Sequence, residues 1–289
     1  MAISGEPIKG RHGLLLYSAQ TVQGTPVTPA TAAGIASWDV TVDADLRPVY
    51  TLGRPEPLFL KPGIAKTDFS LNLSSVQTVD LIALAQRSSG VLPWVTFGFG
   101  YKLDDGTKEA KQVQDCKLHQ LQLSLEAGGF LTAQLSGVGG LVSDLTTLDP
   151  ADLAPAPFMS YEAVFTKGGS AYKLKNFSLS VDHNVAVETC IPGAAKTSFK
   201  RGWDFQTEGQ LNISGELTRY AKSGVNLHAD TLSDFELQLV CTDIAGGGSP
   251  NSCTLVIEGA KFGSEKLSIS PDGDFVASTP FLATGFSIS

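Results

Sequence analysis

The sequence predicts a mainly β protein made of two tandem β-sandwich or half-barrel domains, each with a flanking helix. Three observations carry this reading: period-two alternation of apolar and polar residues along most of the chain, an internal repeat, and a turn-rich composition. The 289 residues include 30 Gly and 15 Pro scattered without period, which excludes collagen-like and low-complexity classes. Hydrophobic residues make up 42%, enough to build a core and too much for a disordered chain. Charged residues make up only 17%, which points to surface covered by something other than water.

From the N-terminus, the first apolar run is Leu14–Tyr17, too short for the core of a signal peptide, which needs about 7–15 residues. Thr21–Thr31 (TVQGTPVTPAT) is rich in Thr, Pro and Gly, and residues 1–33 read as an extended arm outside the repeat. The first domain spans 34–147. In it Trp38, Val40 and Val42 alternate with Asp39, Thr41 and Asp43, and Phe69, Leu71 and Leu73 alternate with Ser70, Asn72 and Ser74. Val76–Ser88 changes period: Val79, Ile82, Ala83 and Gln86 share a helical face, Ser75 can cap the start, and Ser89-Gly90 follows the end, so a helix is expected. Leu121, Leu123 and Leu125, the turn Ala127-Gly128-Gly129, then Leu131, Ala133 and Leu135 read as a hairpin. One apolar face per strand implies sheets half buried against a core.

The repeat sets the second domain. Ser37–Asp43 (SWDVTVD) matches Asn176–Asp182 (NFSLSVD) at an offset of 139, and Leu71–Ser74 matches Leu211–Ser214 at 140. Trp94–Tyr101 lines up with Phe235–Thr242 at 141, Leu123–Leu125 with Leu267–Ile269 at 144, and Phe130 with Phe275 at 145. Short loop insertions account for the drift. Asp149–Pro157 (DPADLAPAP) has three prolines in nine residues, so 148–157 reads as a semi-rigid linker and 158–289 as the second domain. Lys222–Asp234, where a second helix would fall, is weaker helix material.

Charge and chemistry exclude several classes. Lys+Arg is 21 against 29 Asp+Glu, a net charge of −8, and the densest basic patch is Lys196–Arg201 (KTSFKR); gripping nucleic acid needs clustered cations that displace counterions. No apolar run approaches the roughly 18 residues of a membrane-spanning helix. Cys116, Cys190, Cys241 and Cys253 form no CxxC pair and read as reduced thiols, with a Cys241–Cys253 bridge across a hairpin as the alternative. His12, His119, His183 and His228 lack metal-site spacing, and His183 reads as a solvated residue of a strand-end turn. No GxSxG occurs, Gly193–Thr197 lacks the glycine a phosphate loop needs before Lys196, and Asp104–Gly106 and Pro271–Asp274 are turn chemistry. The expectation is a protein that is not an enzyme and has no cofactor or metal.

Two loops stand out. Tyr50–Gly63 and Cys190–Gly202 are long for strand connections and carry apolar residues with a few charges. Tyr50, Arg54, Leu58, Phe59 and Leu60 in the first, and Ile191, Lys196, Phe199 and Arg201 in the second, are the candidate protein-contact residues.

The segments GLLLYSAQTVQGTPVTPA, SWDVTVDAD and LQLSLEAGGFLTAQLSGVGG, with NFSLSVDHNV and GQLNISGELTRYA in the second half, resemble the tail tube proteins of long-tailed bacteriophages. The resemblance spans 14–289. It implies tail-tube-type domains, six of which close a ring; with two domains per chain, three chains suffice. It implies rings stacked into a tube through the two long loops, DNA passing through the lumen without specific binding, and tail terminator, baseplate and tape-measure proteins as partners. It also implies a place in the virion after assembly in the host cytoplasm, and no membrane. Polar strand faces carrying Asp39, Asp43 and Asp182 suit a water-filled lumen. The alternatives are a tail terminator or baseplate ring protein of the same fold, a two-domain carbohydrate-binding adhesin, and a β-sandwich hydrolase.

Overall fold

A computed structural model describes residues 13–32, 37–43, 46–50, 56–57, 59–62, 66–77, 79–102, 108–140, 142–145, 157–189, 203–220, 234–242, 252–268 and 275–289. The first half contains β1 (Gly13–Gln20), β2 (Thr31–Ala32), β3 (Ser37–Asp43), β4 (Leu46–Val49), β5 (Phe59–Pro62), β6 (Lys66–Leu73), α1 (Val79–Ala83), β7 (Trp94–Lys102), β8 (Lys108–Glu126), β9 (Leu131–Gly139) and β10 (Val142–Asp144). The second half contains β11 (Ala163–Lys167), β12 (Ser170–Ala171), β13 (Asn176–Asp182), β14 (Ala186–Thr189), β15 (Trp203–Thr207), β16 (Asn212–Tyr220), β17 (Phe235–Thr242), β18 (Ser252–Phe262), β19 (Lys266–Ser268), β20 (Val276–Ala283) and β21 (Gly285–Ile288).

Strand pairing builds one long antiparallel sheet in the order β3-β6-β9-β8-β13-β16-β20-β19. Behind it stand two shorter layers, β1-β7-β8-β10 in the first half and β11-β17-β18-β21 in the second. β8 belongs to two layers. Its first part pairs with β7 and β10 and its last part with β9 and β13, and register shifts on both flanks let it bend between them. β18 repeats the device, pairing with β17 and β21 and then, at Lys261 and Phe262, with β20. The ribbons β4-β5 and β14-β15 form separate two-stranded sheets, the first between β3 and β6 along the chain and the second between β13 and β16.

The alternation read in the sequence is the alternation of burial. Phe69, Leu71 and Leu73 face the core from β6, as do Phe177, Leu179 and Val181 from β13, while their polar neighbours face outward. Each such side chain withdrawn from water stabilises by roughly 1.5–3 kcal/mol. The predicted hairpin forms with Leu121 opposite Leu135, Leu123 opposite Ala133 and Leu125 opposite Leu131.

Two glycines show how tightly the halves are packed, and how alike. On β9, Gly137 lies opposite Phe69 of β6, and a Cβ on it would stand 2.2 Å from the ring. On β16, Gly215 lies opposite Phe281 of β20, and its Cβ would stand 2.3 Å from that ring. Each half thus fills one slot with one phenylalanine against one glycine, from opposite strands.

The structure departs from the sequence reading at four points. Gly13–Gln20, read as arm, is a full strand paired with β7 along its whole length. Its Leu15 and Tyr17 supply core that the short run Leu14–Tyr17 did not reveal as a strand. The helix expected over Val76–Ser88 is confined to α1. Val76 is held in sheet-like bonds, its N–H donating to Leu131 and its carbonyl accepting from Phe158, so helical turns start only after it. The second candidate segment, Lys222–Asp234, lies outside the described residues except for Asp234. The match of Leu71 to Leu211 is out of register: Ser37 pairs with Asn72 and Asn176 with Thr218, so Asn72 and Thr218 correspond, 146 apart. A longer connection around β14-β15 makes the difference. Lastly, His183 is fully buried rather than solvated.

Candidate functional site

The outward face of the long sheet carries rows of polar side chains that run from strand to strand. One row of the register runs Ser37, Asn72, Gln134, Gln122, Ser180 and Ser214 across six strands. A second runs Asp39, Ser70, Ser136, Gln120 and Asp182. The face forms an open trough of about 1330 Å³ over β6, β9, β8, β13, β16 and β20. Its charge is mainly acidic: Asp39, Asp43, Asp68, Glu126, Asp182 and Glu216 lie on it, against Lys66, held by Asp68 at 2.8 Å, and Lys261 and Lys266 toward its far edge. Carboxylates outnumber ammonium groups on this face, so its field at close range is negative. Among the described residues no group of His, Cys, Asp or Glu is arranged to hold a metal ion.

The two halves meet in the middle of this wall. β8 pairs with β13 from Glu126–Asn176 to Gln120–Asp182, which makes the sheet continuous. Beneath it, the turn after α1 docks on the second half. His183 Nε2–H donates to the Ala85 carbonyl at 2.7 Å, since that oxygen can only accept, so Nδ1 is unprotonated and accepts from Arg87 Nε at 3.0 Å. Arg87 also donates to the carbonyl of Gly209 at 2.7 Å. Burial pushes the His183 imidazole below its ordinary pKa, and the Arg87 guanidinium adds to that. A few residues away, Lys117 forms a largely buried ion pair with Glu208 and stands 4.3 Å from the Trp94 ring. Burial alone would raise the Glu208 carboxyl, but the Lys117 ammonium outweighs it and holds the pKa low. These joints come from residues more than 90 positions apart, and no local motif announces them.

The contact residues predicted from the two long loops are placed only in part. Tyr50 follows β4 and is 58% exposed. Phe59 and Leu60 lie in β5. Arg54, Leu58, Ile191, Lys196, Phe199 and Arg201 lie outside the described residues. What is described is their setting: each loop joins the strands of a two-stranded ribbon that stands off the main sheet network. Asp39, Asp43 and Asp182, picked out by strand alternation alone, share the polar wall.

Cys116, Cys241 and Cys253 are buried free thiols. Cys241 and Cys253 are direct cross-strand partners, and burial lifts their pKa values to about 12 and about 11, far from the thiolate form. No described helix is long and apolar enough to cross a membrane.

The fold is mainly β, with antiparallel strands and a long sheet whose outward face carries mainly acidic charge. The profile of the family described as phage tail tube protein matches residues 10–283, and the chain belongs to that family. It is thereby a structural tail-tube protein and a component of the virion. No curated protein matches it in sequence.

Proposed function

We propose that this chain is one tail-tube domain written twice, and that three copies close a ring whose inner wall is the polar face of the long sheet. The observation that carries the proposal is the correspondence of pairing. β3-β6-β9-β8 and β13-β16-β20-β19 are built in the same order, and the layers β1-β7-β8-β10 and β11-β17-β18-β21 match as well. Two like units joined edge to edge repeat head to tail, and head-to-tail contacts close into rings.

Eight strands per chain and three chains give a barrel of twenty-four strands. With about 4.8 Å between strands and a tilt of roughly 40°, its backbone diameter is about 48 Å. The acidic, short-side-chain wall lets DNA slide through without adhering. Rings stack through the two long loops, 50–63 and 190–202, with Tyr50, Arg54, Leu58, Phe59, Leu60, Ile191, Lys196, Phe199 and Arg201 as contact residues. Tail terminator, baseplate and tape-measure proteins are the partners at the ends and inside of the tube, which assembles in the host cytoplasm. Negative-stain microscopy of the purified chain tests this. Hollow tubes or discrete rings are expected; a strictly monomeric solute at high concentration refutes the proposal.

A further inference from the structure

The long sheet ends in two strands that each have one strand partner among the described residues: β3, paired with β6, and β19, paired with β20. Their counterparts in the other half, β13 and the last part of β8, pair with each other in the middle of the chain. Ser37 corresponds to Asn176, and Leu123, opposite Ala133, corresponds to Leu267, opposite Ala277. The β8–β13 seam is therefore a template for joining β19 of one copy to β3 of the next.

We propose that successive copies of this chain join by antiparallel pairing of β19 with β3 in one register, Leu267 opposite Val40, Ser268 opposite Asp39 and Lys266 opposite Thr41. The proposal rests on the ring reading above and assigns its contact. The template pairs are Leu123 with Leu179, Ser124 with Ser178 and Gln122 with Ser180.

Three observations support it. The first is apolar exposure at the two edges. Leu267 is 57% exposed and Val42 is 51% exposed, whereas their counterparts at the seam, Leu123 and Val181, are 3% and 0% exposed. Trp38 and Val40 are half buried, and their counterparts Phe177 and Leu179 are 1% exposed. Apolar side chains standing in water at one edge, and sealed at the equivalent seam, mark an edge built to be covered. The second is charge. Lys266 lies opposite Ser278 of β20 and so shares the outward face. The register sets it diagonally between Asp39 and Asp43 of the next copy, within reach of both. The third is the edge itself: an exposed strand edge is an aggregation hazard that pairing with a defined partner removes. The occupant is a second copy of the chain, because each edge carries the half-seam that the other completes.

Cysteine pairs test the register in full-length chain carrying Cys190→Ser. Directly opposed residues have Cβ atoms about 5 Å apart, and diagonal ones stand farther. Chain with Asp39→Cys and Ser268→Cys, treated with a one-carbon bis-thiosulfonate bridge, is expected to run as covalent dimer and trimer on a denaturing gel, with loss of the monomer band. Asp39→Cys with Lys266→Cys, and Thr41→Cys with Ser268→Cys, each displaced by two residues, should bridge more slowly. Ser124→Cys with Ser178→Cys, the same geometry within one chain, sets the reference rate. Rings seen by microscopy in which a displaced pair bridges faster, or in which no pair bridges, overturn the register and leave the ring reading standing. Chain that neither bridges nor forms rings overturns both.

Discussion

The reciprocal phenylalanine–glycine slots make a sharp test of how the two halves are related. Phe69 is 4% exposed, with Phe97 and Phe99 at ring-centroid distances of 5.0 Å and 6.2 Å. Phe69→Gly should cost roughly 4–6 kcal/mol, from the large-to-small loss of about 3–5 plus up to about 1 for glycine within a strand. Gly137→Phe drives a second ring into the same slot. A Cβ there already meets the Phe69 ring at 2.2 Å and the Lys117 carbonyl at 2.7 Å, so this variant should not fold. The double variant Phe69→Gly/Gly137→Phe, however, approaches the arrangement that Gly215 and Phe281 already use, with Phe281 2% exposed, and leaves only the Lys117 carbonyl, 2.7 Å from the new Cβ, for the backbone to relieve. It should be more stable than Phe69→Gly alone, by about 1–2 kcal/mol, without returning to the parent. Urea unfolding followed by circular dichroism reads the midpoints. A double variant no more stable than Phe69→Gly would refute the equivalence of the two slots.

Other expectations follow from the joints. Because the folded-state pKa of His183 is lowered by burial, the stability it contributes is complete above its ordinary value of 6.5 and is lost as pH falls below it. Urea midpoints should drop on acidification from pH 7 to 5, and His183→Gln should flatten that drop. Lys117→Met strands the Glu208 carboxylate and should cost about 3 kcal/mol in urea unfolding, with Lys117→Met/Glu208→Leu regaining most of it. Leu267→Lys should leave the monomer within about 0.5 kcal/mol of the parent while abolishing rings in sizing chromatography. Leu123→Lys, at the sealed counterpart, should fail to fold.

Much of the wall was legible in the sequence because one physical rule writes it. A strand with one dry face must alternate, so Asp39, Asp43, Asn72, Gln122, Gln134 and Asp182 announce their side without any motif. The hairpin of β8 with β9 was legible because Gly128 and Gly129 sit between two alternating runs. Leu267 was aligned with Leu123 from a three-residue match, and the strand pairing gives the same offset. What stayed hidden depends on distance. Nothing local marks Arg87 as the partner of His183, or Lys117 as that of Glu208, since each pair is made by packing one half against the other. The Leu71–Leu211 match failed because alternating Leu and Ser fits several registers, and only hydrogen-bonded partners choose among them. β1 was missed because its Leu-rich start leads into a Thr/Pro segment that masks a strand boundary.

The most direct measurement is a cryo-electron-microscopy reconstruction of the assembled particle viewed down its axis. This account predicts strict three-fold symmetry with an approximate six-fold repeat, the acidic face of the long sheet lining the channel, and β19 continuing into β3 of the neighbour with Leu267 opposite Val40. Six chains per ring, or a channel lined by the layers β1-β7-β8-β10 and β11-β17-β18-β21, would contradict it.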